Sequence, residues 1–400
     1  MSVKRLFQLA MLSLILGACQ VNQKQEPVEI DYLGSPLPEN IPEVYLPGVI
    51  SKQGRFEMGF TMSPDGKTMV YGVAHESDTG QTNLYFIQKQ QVGWSLSKTD
   101  PLPQNHNVFF PMFGPEGKQF YFARGKPDGD TDLWMAELSD GAIKGAKPFV
   151  GEVNSAYREA GHGQAQNGTF LFTSNRDQAQ PWGGDVYQRH PDGTVEKVET
   201  LSSEWDEESL FLSPKGDFVI VQAWKPEFNG KHDLYISYRM KNGAWSNSER
   251  LNEEINTAEI EQRPFVGPDL KYLFFSRMST KQNREETLFD SDIFWLSTKK
   301  VFGPYVYNPT NAFEVVANEP FTLDLPKDLF RHVTQETLEI GISLANGSVL
   351  PDSFQFDSES MQLKGTLSGK ESLALTIKAT DLDGQSASLD MELLVRANSN

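Results

Sequence analysis

The chain has 400 residues, with 54 acidic against 36 basic side chains for a net charge of −18, and a single cysteine. A charge of that sign and size opposes phosphate-rich partners, which are held by clustered Lys and Arg, so nucleic acid is excluded as a partner class. One cysteine excludes a disulfide framework or thiolate metal cluster within the chain, and the length exceeds what one hydrophobic core usually supports, so two domains are expected.

Residues 1–18 place Lys4 and Arg5 before an apolar run, Leu6 to Leu16, that closes on small residues. This is the grammar of a signal peptide, and the run is too short to cross a bilayer, which takes roughly 20 apolar residues. The tetrad Leu16-Gly17-Ala18-Cys19 resembles the bacterial lipobox. The resemblance implies that Cys19 is lipidated and becomes the mature N-terminus, with lasting membrane attachment if two or more acyl chains are added. Gln20, rather than Asp, follows the cysteine, so the outer membrane is the expected location, facing periplasm or cell surface. Residues 19–41 are polar and proline-bearing and read as the lipidated N-terminus and a flexible tether.

Residues 42–309 carry an internal repeat. SPDGK at 63–67 recurs as GPEGK at 114–118, AQNGT at 165–169, SPKGD at 213–217 and GPDLK at 267–271. Pro presets φ at the second turn position and Gly closes the turn; Leu270 stands where Gly66, Gly117, Gly168 and Gly216 stand in the other copies, which predicts a different turn in the last. Each turn precedes a short strand rich in aromatic and β-branched residues, such as TMVYGVA or FVIVQA. A second anchor follows: Asn83-Leu84-Tyr85, Asp132-Leu133-Trp134, Asp185-Val186-Tyr187, Asp233-Leu234-Tyr235 and Asp292-Ile293-Phe294. Units of about fifty residues, each with four short strands, match blades of a propeller. The reading is an all-β chain with a five-bladed β-propeller, closed by an N-terminal strand lent to the last blade. It becomes six-bladed if residues 42–56 pair with 299–308 as a further unit.

The combination of SPDGK, FTSNR at 172–176 and GGDVY at 183–187 resembles the TolB-type, WD-repeat-like propeller, over roughly residues 50–305. The resemblance implies the fold; the same propeller serves as an interaction platform, as a peptidase domain and as a module joined to peptidoglycan-binding domains, so it leaves function open. Residues 310–400 show alternating strands of β-sandwich size. Their order, with LKGT at 363–366 and LTIKATDLDGQSAS at 375–388, resembles a cadherin-like, dystroglycan-type immunoglobulin-like domain, which implies a spacer or adhesive unit. Within it Asp381 and Asp383 precede Gly384, a pair that could offer oxygen ligands to calcium or simply form an Asp-Gly turn.

No HExxH, GxSxG or phosphate-loop motif is present, and the six histidines, His75, His106, His162, His190, His232 and His332, lack ligand spacing. Counting six residues back from each turn gives Glu57, Val108, Glu159, Glu207 and Glu261. Propeller symmetry then predicts a ring of four carboxylates at one channel mouth, joined by Arg55, His106, Arg158, His162 and Arg263. That ring reads as bracing between blades or as a ligand site; a catalytic pair would instead need two carboxylates in unlike environments. Trp182, Trp205, Trp224 and Trp245, in or near loops, either pack between blades or offer surfaces on which a sugar ring or a partner side chain could stack. The expected function is a lipid-anchored scaffold that binds an envelope protein or a cell-wall or surface glycan through a propeller face. The alternative is a glycan-active hydrolase or lyase using the channel-mouth glutamates.

Overall fold

In the computed structural model the described residues are 30–74, 82–99, 107–126, 129–139, 142–177, 183–226, 231–282, 287–369 and 371–396. The signal segment, Cys19, His75, His106 and Trp182 lie outside them.

The repeat folds as five antiparallel blades, three of them separate four-stranded sheets and two, blades 1 and 5, joined into one eight-stranded sheet by a parallel bridge at Phe56↔Ser291. Blade 1 is Phe56–Met62, Thr68–Ala74, Asn83–Lys89 and Trp94–Thr99; blade 2 is Val108–Phe113, Gln119–Gly125, Thr131–Ser139 and Ala142–Pro148. Blade 3 is Glu159–Gln164, Phe170–Ser174, Asp185–Arg189 and Val195–Lys197; blade 4 is Asp206–Leu212, Phe218–Trp224, His232–Tyr238 and Glu249–Arg250. Blade 5 takes Ile260–Val266, Tyr272–Gln282 and Thr287–Ser297, and its fourth strand is Glu43–Val44, paired in the register Val44↔Phe294. The first strand of each blade touches the first strand of the next, and blade 5 touches blade 1, so the five inner strands form a closed ring. Residues 299–308 do not form a blade with 42–56: Tyr305–Val306 pairs instead with Phe330–Arg331.

Each repeat turn closes on a left-handed residue, at φ +69° for Gly66, +73° for Gly117, +87° for Gly168 and +70° for Gly216. Leu270 adopts φ +60° at the same place, and its N–H bonds to the Gly267 carbonyl as the glycines' N–H groups bond to Ser63, Gly114, Ala165 and Ser213. The different geometry expected for the last turn is therefore corrected. A side chain is strained at that φ, and the surroundings hold it: Thr298 donates to the Leu270 carbonyl at 2.6 Å, and the leucine packs on the core of blades 1 and 5. Inner strands also run close where side chains are absent. A Cβ on Gly161 would stand 2.3 Å from the Cα of Ser209, so blade 3 can meet blade 4 only through glycine there.

The C-terminal residues form two sheets over one apolar core that includes Leu363, Leu375, Ile377 and Leu393. Ala312–Val316, Glu339–Leu344, Leu373–Thr380 and Ser386–Arg396 make one sheet; Pro320–Asp324, Phe354–Asp357 and Gln362–Thr366 make the other. The unit abuts the propeller through Lys241–Asp328 at 2.8 Å, Gln385 Nε2 donating to the Lys299 carbonyl at 2.9 Å, and the stacked rings of Tyr238 and Tyr305. No helix among the described residues is long and apolar enough to cross a membrane.

Candidate functional site

The four repeated glutamates are buried, each with 1% or less of its surface exposed. Each carboxylate is held by the loop that leads into its own blade. Ser155 N–H and Oγ donate to Glu159, Ser203 N–H and Oγ to Glu207, and Thr257 N–H and Oγ1 to Glu261; Lys52 N–H serves Glu57 at 3.3 Å. Arginines complete three of these latches, Arg55 on Glu57, Arg176 on Glu159 at 3.2 Å and Arg277 on Glu261 at 2.8 Å.

The residue just before each latch donor binds the preceding blade. Asn154 Oδ1 accepts from Leu133 N–H at 2.8 Å, Ser202 Oγ from Val186 N–H at 3.0 Å, Asn256 Oδ1 from Leu234 N–H at 2.7 Å, and Ser51 Oγ from Ile293 N–H at 3.2 Å. These acceptors serve the central residue of the Asp-Leu-Tyr anchor. Two adjacent polar residues, Asn154-Ser155, Ser202-Ser203 and Asn256-Thr257, thus staple neighbouring blades, and Ser51-Lys52 does so at the ring closure.

Along the propeller axis three zones follow one another. The first is a charged mouth contributed by residues beside the latch positions. Arg158 Nη2 lies 3.3 Å from Asp206 and Nη1 3.9 Å from Glu208, while His232 Nε2 lies 3.3 Å from Asp206 and 3.8 Å from Glu208. Gln222 Nε2 donates to Glu208 at 2.8 Å. Burial pushes the Glu208 carboxyl up, but His232, Arg263 and Arg158 outweigh it and hold it below its ordinary range. Trp205 and Trp224 stand edge to face beside this mouth, 5.0 Å apart.

The second zone is a constriction bounded by Gly59, Phe110, Gly161, Ser209 and Arg263, with free space of only about 20 Å³. Every inner strand shifts register around this level, and Arg263 and Phe110 hold φ +54° and +51°. The Arg263 guanidinium lies 4.6 Å over the Phe110 ring, and burial pulls its pKa down to about 10. The third zone, on the side of the repeat turns, is a funnel of about 490 Å³ to which all five blades contribute. Its wall includes Met62, Met112, Phe113, Phe211, Phe265 and Val266.

The glutamate ring expected at a channel mouth is corrected by this geometry. Glu57, Glu159, Glu207 and Glu261 turn into their own blades, because side chains alternate across a strand and a slip of one residue exchanges faces. Residues one place to either side, such as Asp206 and Glu208, face the axis instead. Of the other expected members, Arg55 belongs to the Glu57 latch, Arg158 to the charged mouth and Arg263 to the constriction. His162 is buried between the Tyr121 and Phe170 rings, its Nδ1 3.0 Å from the Ala160 carbonyl, and burial lowers its pKa to about 4. The structure thus brings Arg158 and Arg263 around Glu208 and leaves the four glutamates apart, without the shared open space that a hydrolytic pair would need. Trp245 is buried at 3% exposure under the Arg239 guanidinium.

Burial pushes Glu57 and Glu207 up to about 7, and Glu261 upward too, against the bonds that favour their ionised forms. A carboxyl raised in the folded state lends stability that is complete below its unfolded value and is lost as pH rises through the folded one. For Glu207 the window runs from 4.5 to about 7, and the loss across it is roughly 3 kcal/mol. Glu207→Gln is expected to flatten the fall in melting temperature between pH 5 and pH 8 relative to wild type; parallel pH profiles for the two would contradict this.

In the C-terminal unit, Asp381 Oδ1 accepts from the N–H groups of Asp383 and Gln385 at 2.9 and 2.8 Å, and Oδ2 lies 3.4 Å from His332. Asp383 accepts from Gln335 Nε2 at 2.9 Å. The two carboxylates support a turn at the domain junction and do not converge, and no group of three metal-ligating side chains occurs among the described residues. The Asp-Gly turn, one of the two readings of this pair, is what these bonds form.

No protein-family model matches the chain, and no curated protein matches it. Solved structures similar to it include TolB from Acinetobacter baumannii, at 15% identity and a TM-score of 0.38 over 62% of this chain and 55% of that one, so the chain spans about half of its length. A protein assigned as TolB from Agrobacterium tumefaciens matches at 16% identity and a TM-score of 0.40, over 61% of this chain and 90% of that one. An exo-β-1,3-galactanase from Clostridium thermocellum matches at 11% identity and a TM-score of 0.42, over 88% and 87%.

Proposed function

We propose that the protein is a lipid-anchored envelope binding protein whose turn-side funnel takes an apolar segment of a partner protein. The observation that carries this reading is the funnel itself, a cavity of about 490 Å³ with Met and Phe on its wall and Pro64, Pro115, Pro214 and Pro268 among the turns that frame it. Concave, mostly apolar surfaces with a few polar groups at the edge are where partners dock, and Lys215, Asp217 and Asp269 supply such groups here. The N-terminal approach supports the same face: Tyr32 donates to Asp269 at 2.7 Å, so the chain arrives at the funnel rim. With Cys19 as anchor, the residues up to Ile30 reach at most about 40 Å, which keeps the funnel close to the membrane surface.

The test is affinity capture from detergent-solubilised native membranes with three forms of the protein: wild type, a funnel variant Met112→Lys/Leu270→Lys, and a latch variant Glu159→Gln/Glu207→Gln. A protein partner retained by the first and third and lost by the second is the expected result; equal capture by all three overturns the funnel reading. Glycan binding is a second reading, favoured by Trp205 and Trp224 beside the charged mouth. It predicts retention of surface polysaccharide that Trp205→Ala abolishes while the funnel variant keeps it.

A further inference from the structure

In blades 1, 3 and 5 a guanidinium closes the latch. Arg55, Arg176 and Arg277 each pair with the glutamate of their own blade. Each also donates to carbonyls of the leading loop, at Ile50 for Arg55, at Glu152 and Val153 for Arg176, and at Glu254 and Ile255 for Arg277. The cation lies over an aromatic pair on the blade, Tyr71 and Tyr85, Phe172 and Tyr187, or Phe275 and Phe294. The three arginines come from different places in the repeat. Arg277 stands opposite its glutamate, Arg176 lies two residues beyond Ser174, which stands opposite Glu159, and Arg55 precedes Glu57 on the chain. What recurs is the set of acceptors, and a planar donor fork fits it by whatever route it arrives.

Blade 4 keeps the glutamate and the loop that leads to it, and among the described residues no arginine closes the latch. Ala223 stands opposite Glu207, and Val221 takes the place of the first aromatic ring. Lys225 Nζ sits 4.2 Å over the Tyr235 ring, and it forms no ion pair with Glu207 among the described residues. A cavity of about 190 Å³ remains, bordered by Glu207, Thr200, Leu201, Val221, Ala223 and Tyr235. Thr200 and Leu201 are the counterparts of Glu152 and Val153, whose carbonyls Arg176 takes in blade 3. The cavity reaches solvent beside the exposed Thr200 and Asn247. The Ser203 bonds are the hydrogen bonds that hold the Glu207 carboxylate, where the glutamates of blades 1, 3 and 5 take an arginine as well.

We propose that the blade 4 cavity binds a guanidinium-bearing ligand, the cation resting on Glu207 and the loop beside it in the place that an arginine of the chain fills in blades 1, 3 and 5. The site is remote from the funnel and stands or falls independently of it. Either a free guanidinium compound or an arginine side chain of a partner polypeptide carries the required group. The nearby Lys225 ammonium opposes a second cation, so binding is weaker than an internal arginine's would be, and removing that charge strengthens it.

The experiment is calorimetric titration of the mature chain with methylguanidinium chloride against potassium chloride at matched ionic strength. Saturable millimolar binding of methylguanidinium alone is expected, tightened by Lys225→Met and weakened at least about tenfold by Ala223→Arg, which places a guanidinium as Arg277 does in blade 5. Should Ala223→Arg fail to fold, Glu207→Gln supplies the same loss. Acetyl-arginine amide and free arginine, titrated in parallel, distinguish the side chain from the small molecule by which binds more tightly. No saturable binding to wild type, or equal binding to wild type and Ala223→Arg, overturns the proposal.

Discussion

Replacing Glu261 by alanine is expected to destabilise the propeller by roughly 3–5 kcal/mol, a large share of the stability of an ordinary domain. The carboxylate is fully buried and accepts from Thr257 N–H, Thr257 Oγ1 and Arg277 Nε. Truncation leaves a partly buried guanidinium without its counter-charge and a linker N–H without its acceptor, and an unmade bond in the interior costs more than a made one gains. Arg277 would still reach the Glu254 and Ile255 carbonyls and lie over Phe294, so the arginine stays in place as an uncompensated charge. Urea unfolding measures the loss. The double variant Glu261→Ala/Arg277→Met is expected to recover part of it, because removing both partners of a buried pair is far milder than removing one. A single-variant loss below about 1 kcal/mol, the value of an exposed pair, would mean that the latch carries no weight.

Tyr45→Ala is expected to have an effect of similar size for a different reason. Tyr45 is wholly buried just after the closing strand, with ring centroids 5.5 Å from Phe60, 5.1 Å from Phe274 and 4.9 Å from Trp295. It therefore joins blade 1 to blade 5, and its own N–H bonds to the Ile293 carbonyl at 2.7 Å. Removing a buried aromatic ring costs about 3–5 kcal/mol. Among the described residues the hydroxyl's hydrogen-bond partner is the Met69 sulfur at 3.6 Å, a weak acceptor, so Tyr45→Phe should differ little from wild type. Denaturant midpoints for the pair, with protease sensitivity between residues 43 and 56, separate loss of the ring from loss of the hydroxyl; equal midpoints for Tyr45→Ala and wild type would refute the role.

The repeat was legible because its turn chemistry is local: Gly66, Gly117, Gly168 and Gly216 need a left-handed φ, and such a need is written in residue type. Leu270 escaped the rule because its conformation is imposed by Thr298 and by packing, neither of which the pentapeptide contains. The spacing also brought out the four glutamates as equivalents. It could not settle their face, since each inner strand carries a bulge and successive side chains point oppositely. A signal for their role was present: a polar pair, Asn154-Ser155, Ser202-Ser203 or Asn256-Thr257, stands four and five residues before each of three glutamates. The charged mouth was harder to read. Asp206 and Glu208 share the first strand of blade 4, His232 stands on its third strand and Arg158 leads into blade 3, so only the packing of these two neighbouring blades brings the group together.

The pairing of Val44 with Phe294 has a consequence for how the ring comes into being. Some of the first residues to fold into it wait for a partner roughly 250 residues later, a separation whose closure entropy must be met before any native contact rewards it. Until then the edge of Thr287–Ser297 is an open template, and an unpaired edge accepts whatever strand reaches it. The chain's own N-terminus has the advantage of being covalently attached, so dilution favours the closed monomer. The same open edge would accept residues 43–51 of a second chain, as any unpaired edge accepts a matching strand. The strand that finishes the propeller is thus the one on which its folding depends at longest range.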